Sequence, residues 1–68
     1  MRNFIRKKRT DLNMSQVKLS VLTGLPNSAI SDLELGKREP WPRARKALAK
    51  ALGVPEAELF PAEEVRSV

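Results

Sequence analysis

The stretch that decides the fold is residues 15–36, which read SQVKLSVLTGLPNSAISDLELG. Ser15 is a good helix N-cap, because its hydroxyl can accept a hydrogen bond from a free backbone N–H in the first turn. Gly24 suits the left-handed conformation that commonly ends a helix. Pro26 is favoured at the first position of a helix, since its missing N–H would be unpaired there. The stretch therefore predicts two short helices on either side of a tight turn.

Glycine and proline divide the rest of the chain into three more short helices. No segment alternates apolar and polar residues with a period of two, so we predict no strand. The fold class expected from this pattern is all-α, a compact five-helix bundle. The predicted helices span residues 2–12, 16–23, 26–34, 42–52 and 56–60.

Apolar side chains recur along one face of the predicted helices, as they do in helices that pack around a shared core. The expected core positions are Phe4, Ile5 and Leu12 in the first helix, Leu19, Leu22, Leu25, Ile30 and Leu33 in the central pair, and Ala44, Ala47, Leu48, Ala51 and Leu52 in the fourth. Trp41 lies between two prolines. We expect it to cap this core, although its ring could instead stack on a partner.

Composition excludes several classes of function. The 68 residues allow one small domain, and they include neither cysteine nor histidine, so disulfides, thiol catalysis and Cys/His metal sites are excluded. The phosphate-binding GxxxxGK loop, the nucleophile elbow and the HExxH motif are also missing. We therefore expect no enzyme activity, no cofactor and no small-molecule ligand. No apolar run reaches the roughly 18 residues of a membrane span, and a cytoplasmic location fits best.

The charge of the chain is positive and unevenly distributed. The net charge is +5, and residues 1–54 carry twelve of the thirteen cations but only four of the eight anions. This basic body suggests a polyanionic partner, with nucleic acid as the first candidate, although charge also serves solubility alone. Residues 62–68 include Glu63 and Glu64, and we expect them to form a frayed acidic tail after a domain over 1–61.

Residues 15–36 resemble the Cro/repressor-type helix-turn-helix family of bacterial and phage regulators, also called the xenobiotic-response-element family. The resemblance extends to residues 37–40, which look like that family's basic loop, and to 47–54 and 55–60, which look like its fourth and fifth helices. It implies a lambda-repressor-like fold with the helix-turn-helix at about 15–35. It also implies binding of double-stranded DNA as a transcriptional repressor, with homodimers forming at least on DNA.

The resemblance implies roles for individual side chains. The third helix would enter the major groove, and the basic loop would contact phosphates. The residues expected to contact bases are Asn27, Ser28, Ser31 and Asp32, and those expected to contact phosphates are Gln16, Lys37 and Arg38. Gln16 would also brace the third helix. Arg9 and Glu34 occupy the positions of a buried ion pair between the first and third helices, although the two residues alone would equally fit a surface pair.

The third helix departs from the usual pattern of the family, because it contains no Lys or Arg and carries Asp32 and Glu34. DNA repels an acidic group unless that group meets a cytosine amino group or a cation. This departure favours an alternative function, a protein-interaction module, antitoxin or adaptor with the same fold. The expected dimer contacts are Val17 and Val21, or the fifth helix with Phe60.

Overall fold

Five helices follow one another in the computed structural model, which describes residues 3–61. They are α1 (Ile5–Asp11), α2 (Gln16–Thr23), α3 (Asn27–Glu34), α4 (Pro42–Leu52) and α5 (Glu56–Leu59). No strand occurs within that range, so the all-α, five-helix prediction is confirmed. Both α2 and α4 have the predicted bounds. The predicted acidic tail, 62–68, lies outside the described residues.

The first helix begins later than the predicted start at residue 2, which itself lies outside the described residues. The Asn3 side chain accepts a hydrogen bond from the backbone N–H of Ile5 at 3.1 Å and donates to the carbonyl of Leu33 at 2.7 Å. The N–H of Phe4 donates to the carbonyl of Leu59 at 2.9 Å. These bonds tie the segment before α1 to the ends of α3 and α5 and hold it out of the helix.

Side-chain hydrogen bonds fix the start of α2 and, together with a left-handed glycine, the turn between α2 and α3. The hydroxyl of Ser15 accepts from the N–H of Lys18 at 3.0 Å, as the sequence predicts. Gly24 has a φ of 76°, and its N–H donates to the carbonyl of Ser20 at 2.9 Å. The Ser20 hydroxyl in turn donates to the carbonyl of Leu25 at 2.6 Å. The contacts of Ser20 and Gly24 fix the direction in which the chain enters α3. The helix begins at Asn27, one residue after the predicted start, because Pro26 has an extended backbone and serves as its N-cap.

The hydrophobic core takes side chains from all five helices, and α4 lies at its centre because it packs against α1, α2 and α5. Trp41 is half-buried and packs against this core, as predicted. The largest fully buried side chains are Ile5, Leu19, Ile30, Leu33, Leu48 and Leu59. These six side chains anchor every helix of the bundle to the same centre.

Three predictions about apolar residues are wrong. Leu12 is 52% exposed because α1 ends before it, and Leu22 is 48% exposed because the short helix α2 turns only the face of Leu19 to the core. Phe60 was expected at an interface but is only 3% exposed. Its ring packs in the core after the end of α5, with the Arg45 guanidinium 5.1 Å from the ring centroid. Phe60 is therefore not accessible to a second subunit.

Candidate nucleic-acid interface

A polar network inside the protein joins α1, α2 and α3. Arg9 donates from Nε to one carboxylate oxygen of Glu34 at 2.6 Å and from Nη2 to the other at 3.2 Å. The Nη1 of Arg9 donates to the carbonyl of Met14 at 2.8 Å, and Gln16 Nε2 donates to Glu34 at 3.0 Å. The side chains of Arg9 and Glu34 are 12% and 3% exposed, so this ion pair is not on the surface. The network fixes the last turn of α3 against the other two helices.

The buried contact also fixes the charge of Arg9. Its hydrogen bonds with Glu34 raise the pKa of the guanidinium above the ordinary value, the Coulomb attraction of the carboxylate adds to this, and burial opposes it. A pKa raised on folding contributes stability below the unfolded pKa, and that contribution disappears only as the pH rises through the folded value. Arg9 therefore stays charged at neutral pH, where its guanidinium donates to the carboxylate of Glu34.

The polar face of α3 points away from the core. Its four predicted base-contacting residues follow the i, i+1, i+4, i+5 spacing that places side chains on one helix face. The inward face consists of Ala29, Ile30 and Leu33. Among the described residues, no hydrogen bond or ion pair engages any of the four side chains, which are the exposed Asn27 and Ser28 and the half-buried Ser31 and Asp32. This face is thus available to an external partner.

Acidic side chains pair with three cations on other parts of the surface, whereas five more cations form no ion pair with any residue between 3 and 61, namely Arg6, Lys18, Arg43, Lys46 and Lys50. The exposed or half-buried ion pairs are Lys7–Asp11 at 3.6 Å, Lys8–Glu58 at 3.6 Å and Arg45–Glu56 at 3.4 Å, and they lie on α1, α4 and α5. Lys37 and Arg38 follow α3 directly, are exposed, and form no ion pair with any residue between 3 and 61. Two cations without an ion pair therefore lie next to the available face of α3, together with two carboxylates that also form no ion pair in this range, Asp32 on the face itself and the exposed Glu39 after Arg38.

One contact in the loop after α3 was not predicted from the sequence. The guanidinium carbon of Arg38 lies 4.9 Å from the centroid of the Trp41 ring, which is within the range of a cation–π interaction. Local spacing does not reveal such a contact, because it depends on the path of the chain through Pro40. The contact connects a candidate phosphate-binding residue to the edge of the core.

Three other kinds of feature bear on function in the part of the chain that the structure describes: metal-binding clusters, membrane-spanning helices and surface depressions. No group of three or more Asp and Glu side chains is placed to hold a metal ion in that part. None of its helices has the length and apolar character needed to cross a membrane. A shallow depression of about 230 Å³ between α1 and α5 is lined by Phe4, Lys7, Lys8 and Glu58, with no residue of α3.

A comparison with known families agrees with this geometry. A family model described as helix-turn-helix matches residues 5–59, from the first residue of α1 to the last of α5. The match includes the Arg9–Glu34 pair, the turn at Gly24 and both cations of the loop. No curated protein matches the chain.

Proposed function

Since the chain belongs to the Cro/repressor-type helix-turn-helix family of DNA-binding transcription regulators, we propose that it is a sequence-specific repressor of bacterial or phage genes. In this proposal α3 lies in the major groove of duplex DNA. The observation that carries it is the unengaged polar face of α3 next to the unpaired cations Lys37 and Arg38.

The side chains of α3 suit particular base edges. Asn27 can bond bidentately to adenine, and the hydroxyls of Ser28 and Ser31 can bond to several bases. Asp32 only accepts hydrogen bonds when ionised, so it favours the amino group of cytosine. Because this face has no arginine to contact guanine, we propose that selectivity combines these contacts with the shape of the DNA.

Phosphate contacts would hold α3 in register. Lys37 and Arg38 supply charge, and Gln16 supplies a neutral donor at the N-terminus of α2. Gln16 donates one amide N–H to Glu34 at 3.0 Å. Its NH₂ group has a second N–H, which we assign to a phosphate oxygen. The Arg9–Glu34 pair would act indirectly, by holding Gln16 and the end of α3 together.

The proposed assembly is a homodimer on a pseudo-palindromic site, with half-sites about one helical turn apart. Val17 and Val21 are the candidate dimer contacts, because their side chains remain 63% and 74% exposed on α2. The DNA-binding domain would span residues 1–61, followed by the tail, and the protein would act on DNA in the cytoplasm without a cofactor or small-molecule ligand.

Base reading is tested by selecting sites from a random duplex pool at about 150 mM salt, where screening weakens purely electrostatic contacts. We expect the unmodified protein to recover a motif with a dyad. The double variant Asn27→Ala, Ser28→Ala should lose preference at some positions of that motif, because two side chains that contact bases are gone. Lys46→Ala, an exposed change on α4, serves as the control and should recover the full motif. An unaltered motif from the double variant would contradict base reading by these residues.

The salt dependence of affinity tests the phosphate contacts. Each phosphate that a cation neutralises contributes about 0.9 to the slope of log K against log salt concentration. We therefore expect Lys37→Ala combined with Arg38→Ala to reduce that slope by about 1.8. The matched control is Arg43→Ala with Lys46→Ala, which removes the same two types of charge from α4 and should leave the slope unchanged. If Lys37→Ala combined with Arg38→Ala keeps the slope of the unmodified protein, these two residues do not contact phosphates.

A second candidate function is binding of a partner protein, as in an antitoxin or adaptor. It is favoured by the lack of cations on α3 and by three exposed apolar side chains on α2, namely Val17, Val21 and Leu22. The same selection separates the two functions. If the pool yields no bound DNA, partner binding becomes the better account, and capture of partners from a lysate is the next step.

A further inference from the structure

Arg38 and Lys37 are neighbours in the same loop but differ in what holds them. Both side chains are exposed, and neither has an ion-pair partner within residues 3–61. The Arg38 guanidinium carbon lies 4.9 Å from the centroid of the Trp41 ring, whereas no described side chain contacts the Lys37 ammonium in this way. Of the two cations, only Arg38 is therefore held by an aromatic ring.

The ring that holds Arg38 is itself held by the core. Trp41 is half-buried and packs against the core cluster. It is also the N-cap of α4, and its carbonyl accepts the N–H of Arg45 at 2.9 Å. A ring placed in this way gives the guanidinium a fixed support at the start of α4.

The contact with the ring leaves the guanidinium free to bind a phosphate, because no hydrogen bond or ion pair of the described residues uses its N–H groups. An arginine beside an aromatic ring can still form two parallel hydrogen bonds to a phosphate in the plane of its guanidinium. A long side chain that is already restrained loses less conformational entropy when it binds. A restrained arginine should therefore bind a phosphate more tightly than the same arginine without its support.

We propose that Trp41 is a positioning residue for DNA binding, because its ring holds the Arg38 guanidinium ready for a phosphate oxygen. This inference rests on the proposed function, since it assigns Arg38 to the DNA backbone. It adds a role for an aromatic residue that would otherwise serve only to cover the core.

A double-mutant cycle tests the proposal. The affinity for a fluorescein-labelled, random-sequence duplex of about two helical turns is measured by anisotropy at about 50 mM salt. We expect Trp41→Leu to weaken binding about two- to fivefold, the range typical of an exposed cation–π contact, and Trp41→Phe to weaken it less because a ring remains. In an Arg38→Ala background, both substitutions should have no further effect. In a Lys37→Ala background, each should weaken binding by its full factor.

Two further measurements separate positioning from loss of structure. Thermal unfolding of each variant shows whether it is folded at the temperature of the titration, and Trp41→Phe keeps the cycle complete if Trp41→Leu does not fold. Trp41 is the only tryptophan, so its emission reports on its surroundings. We expect Arg38→Ala to change that emission in the protein without DNA and Lys37→Ala to leave it unchanged.

The outcomes distinguish this inference from the function on which it rests. If the unmodified protein does not bind the duplex, the proposed function fails and the positioning role fails with it. If the protein binds but Trp41→Phe and Trp41→Leu weaken binding equally in the presence and absence of Arg38, only the positioning role is wrong. Unchanged tryptophan emission in Arg38→Ala would also overturn it.

Discussion

Substitution of Glu34 by alanine is expected to lower the free energy of unfolding by about 3–5 kcal/mol. The carboxylate accepts two hydrogen bonds from Arg9 and one from Gln16, and its side chain is only 3% exposed. Its removal leaves the guanidinium, 12% exposed, with the carbonyl of Met14 as its remaining described acceptor. A buried charge without its counter-ion is costly, because it has lost its hydration without a replacement.

The measurement is urea denaturation followed by circular dichroism, with Asp11→Ala as the control. Asp11 pairs with Lys7 at 3.6 Å on an exposed face of α1, and loss of this pair should change stability by about 0.5 kcal/mol or less. A domain of this size has roughly 3–10 kcal/mol of stability in total, so Glu34→Ala should remove a large share of it and lower the urea midpoint markedly. Similar losses from the two variants would mean that water solvates the Arg9–Glu34 pair.

A second variant separates two contributions to the free energy of unfolding: the loss caused by one buried unpaired charge, and the net contribution of the ion pair itself. Replacing both Arg9 and Glu34 by methionine removes the charges together and keeps apolar volume at the site. We expect this double variant to be more stable than Glu34→Ala, because no buried charge remains uncompensated. Gln16 would still lose its acceptor, so its hold on α3 would weaken. DNA affinity should therefore decrease in the double variant even where stability recovers.

The helices that the sequence predicts best are those whose ends are determined locally. Ser15 and Gly24 mark the ends of α2, and Trp41 and Gly53 flank α4 as its caps, so neither helix needs distant contacts to determine its length. The start of α1 depends instead on bonds from Asn3 and Phe4 to α3 and α5, across about half the chain or more. Such contacts leave no periodic signal in the sequence.

The candidate site likewise has features that the local sequence predicts and features that it does not. Helical periodicity alone predicts the apolar face of α3, whereas the basic loop and the roles of the outward side chains of α3 are implied only by the family resemblance. The position of the Arg9–Glu34 pair came from the family resemblance, because nothing in the two residues indicates their burial. Phe60 was misassigned because α5 has only four residues, too few for an amphipathic pattern to show which way the next side chain points.

Substitution of Leu48 by alanine is the second large effect, with an expected loss of about 2–5 kcal/mol of unfolding free energy. Leu48 is 0% exposed on α4, the helix that packs against α1, α2 and α5. The smaller side chain removes apolar contacts and leaves a cavity that the surrounding helices fill only in part. Alanine is a better helix former than leucine, so the loss measured by urea denaturation would come from packing and not from the backbone of α4.

Leu22→Ala is the matched control, because it makes the same change in a helix at a side chain that is 48% exposed. We expect it to lose about 0.5 kcal/mol or less, since little packing disappears with it. Duplex DNA that binds only the folded chain should raise the melting temperature of both variants by mass action. If Leu48→Ala is as stable as Leu22→Ala, α4 does not hold the bundle together. If only Leu48→Ala is destabilised and DNA restores its folding, the packing of α4 stabilises the bundle while the folded variant keeps its DNA-binding surface.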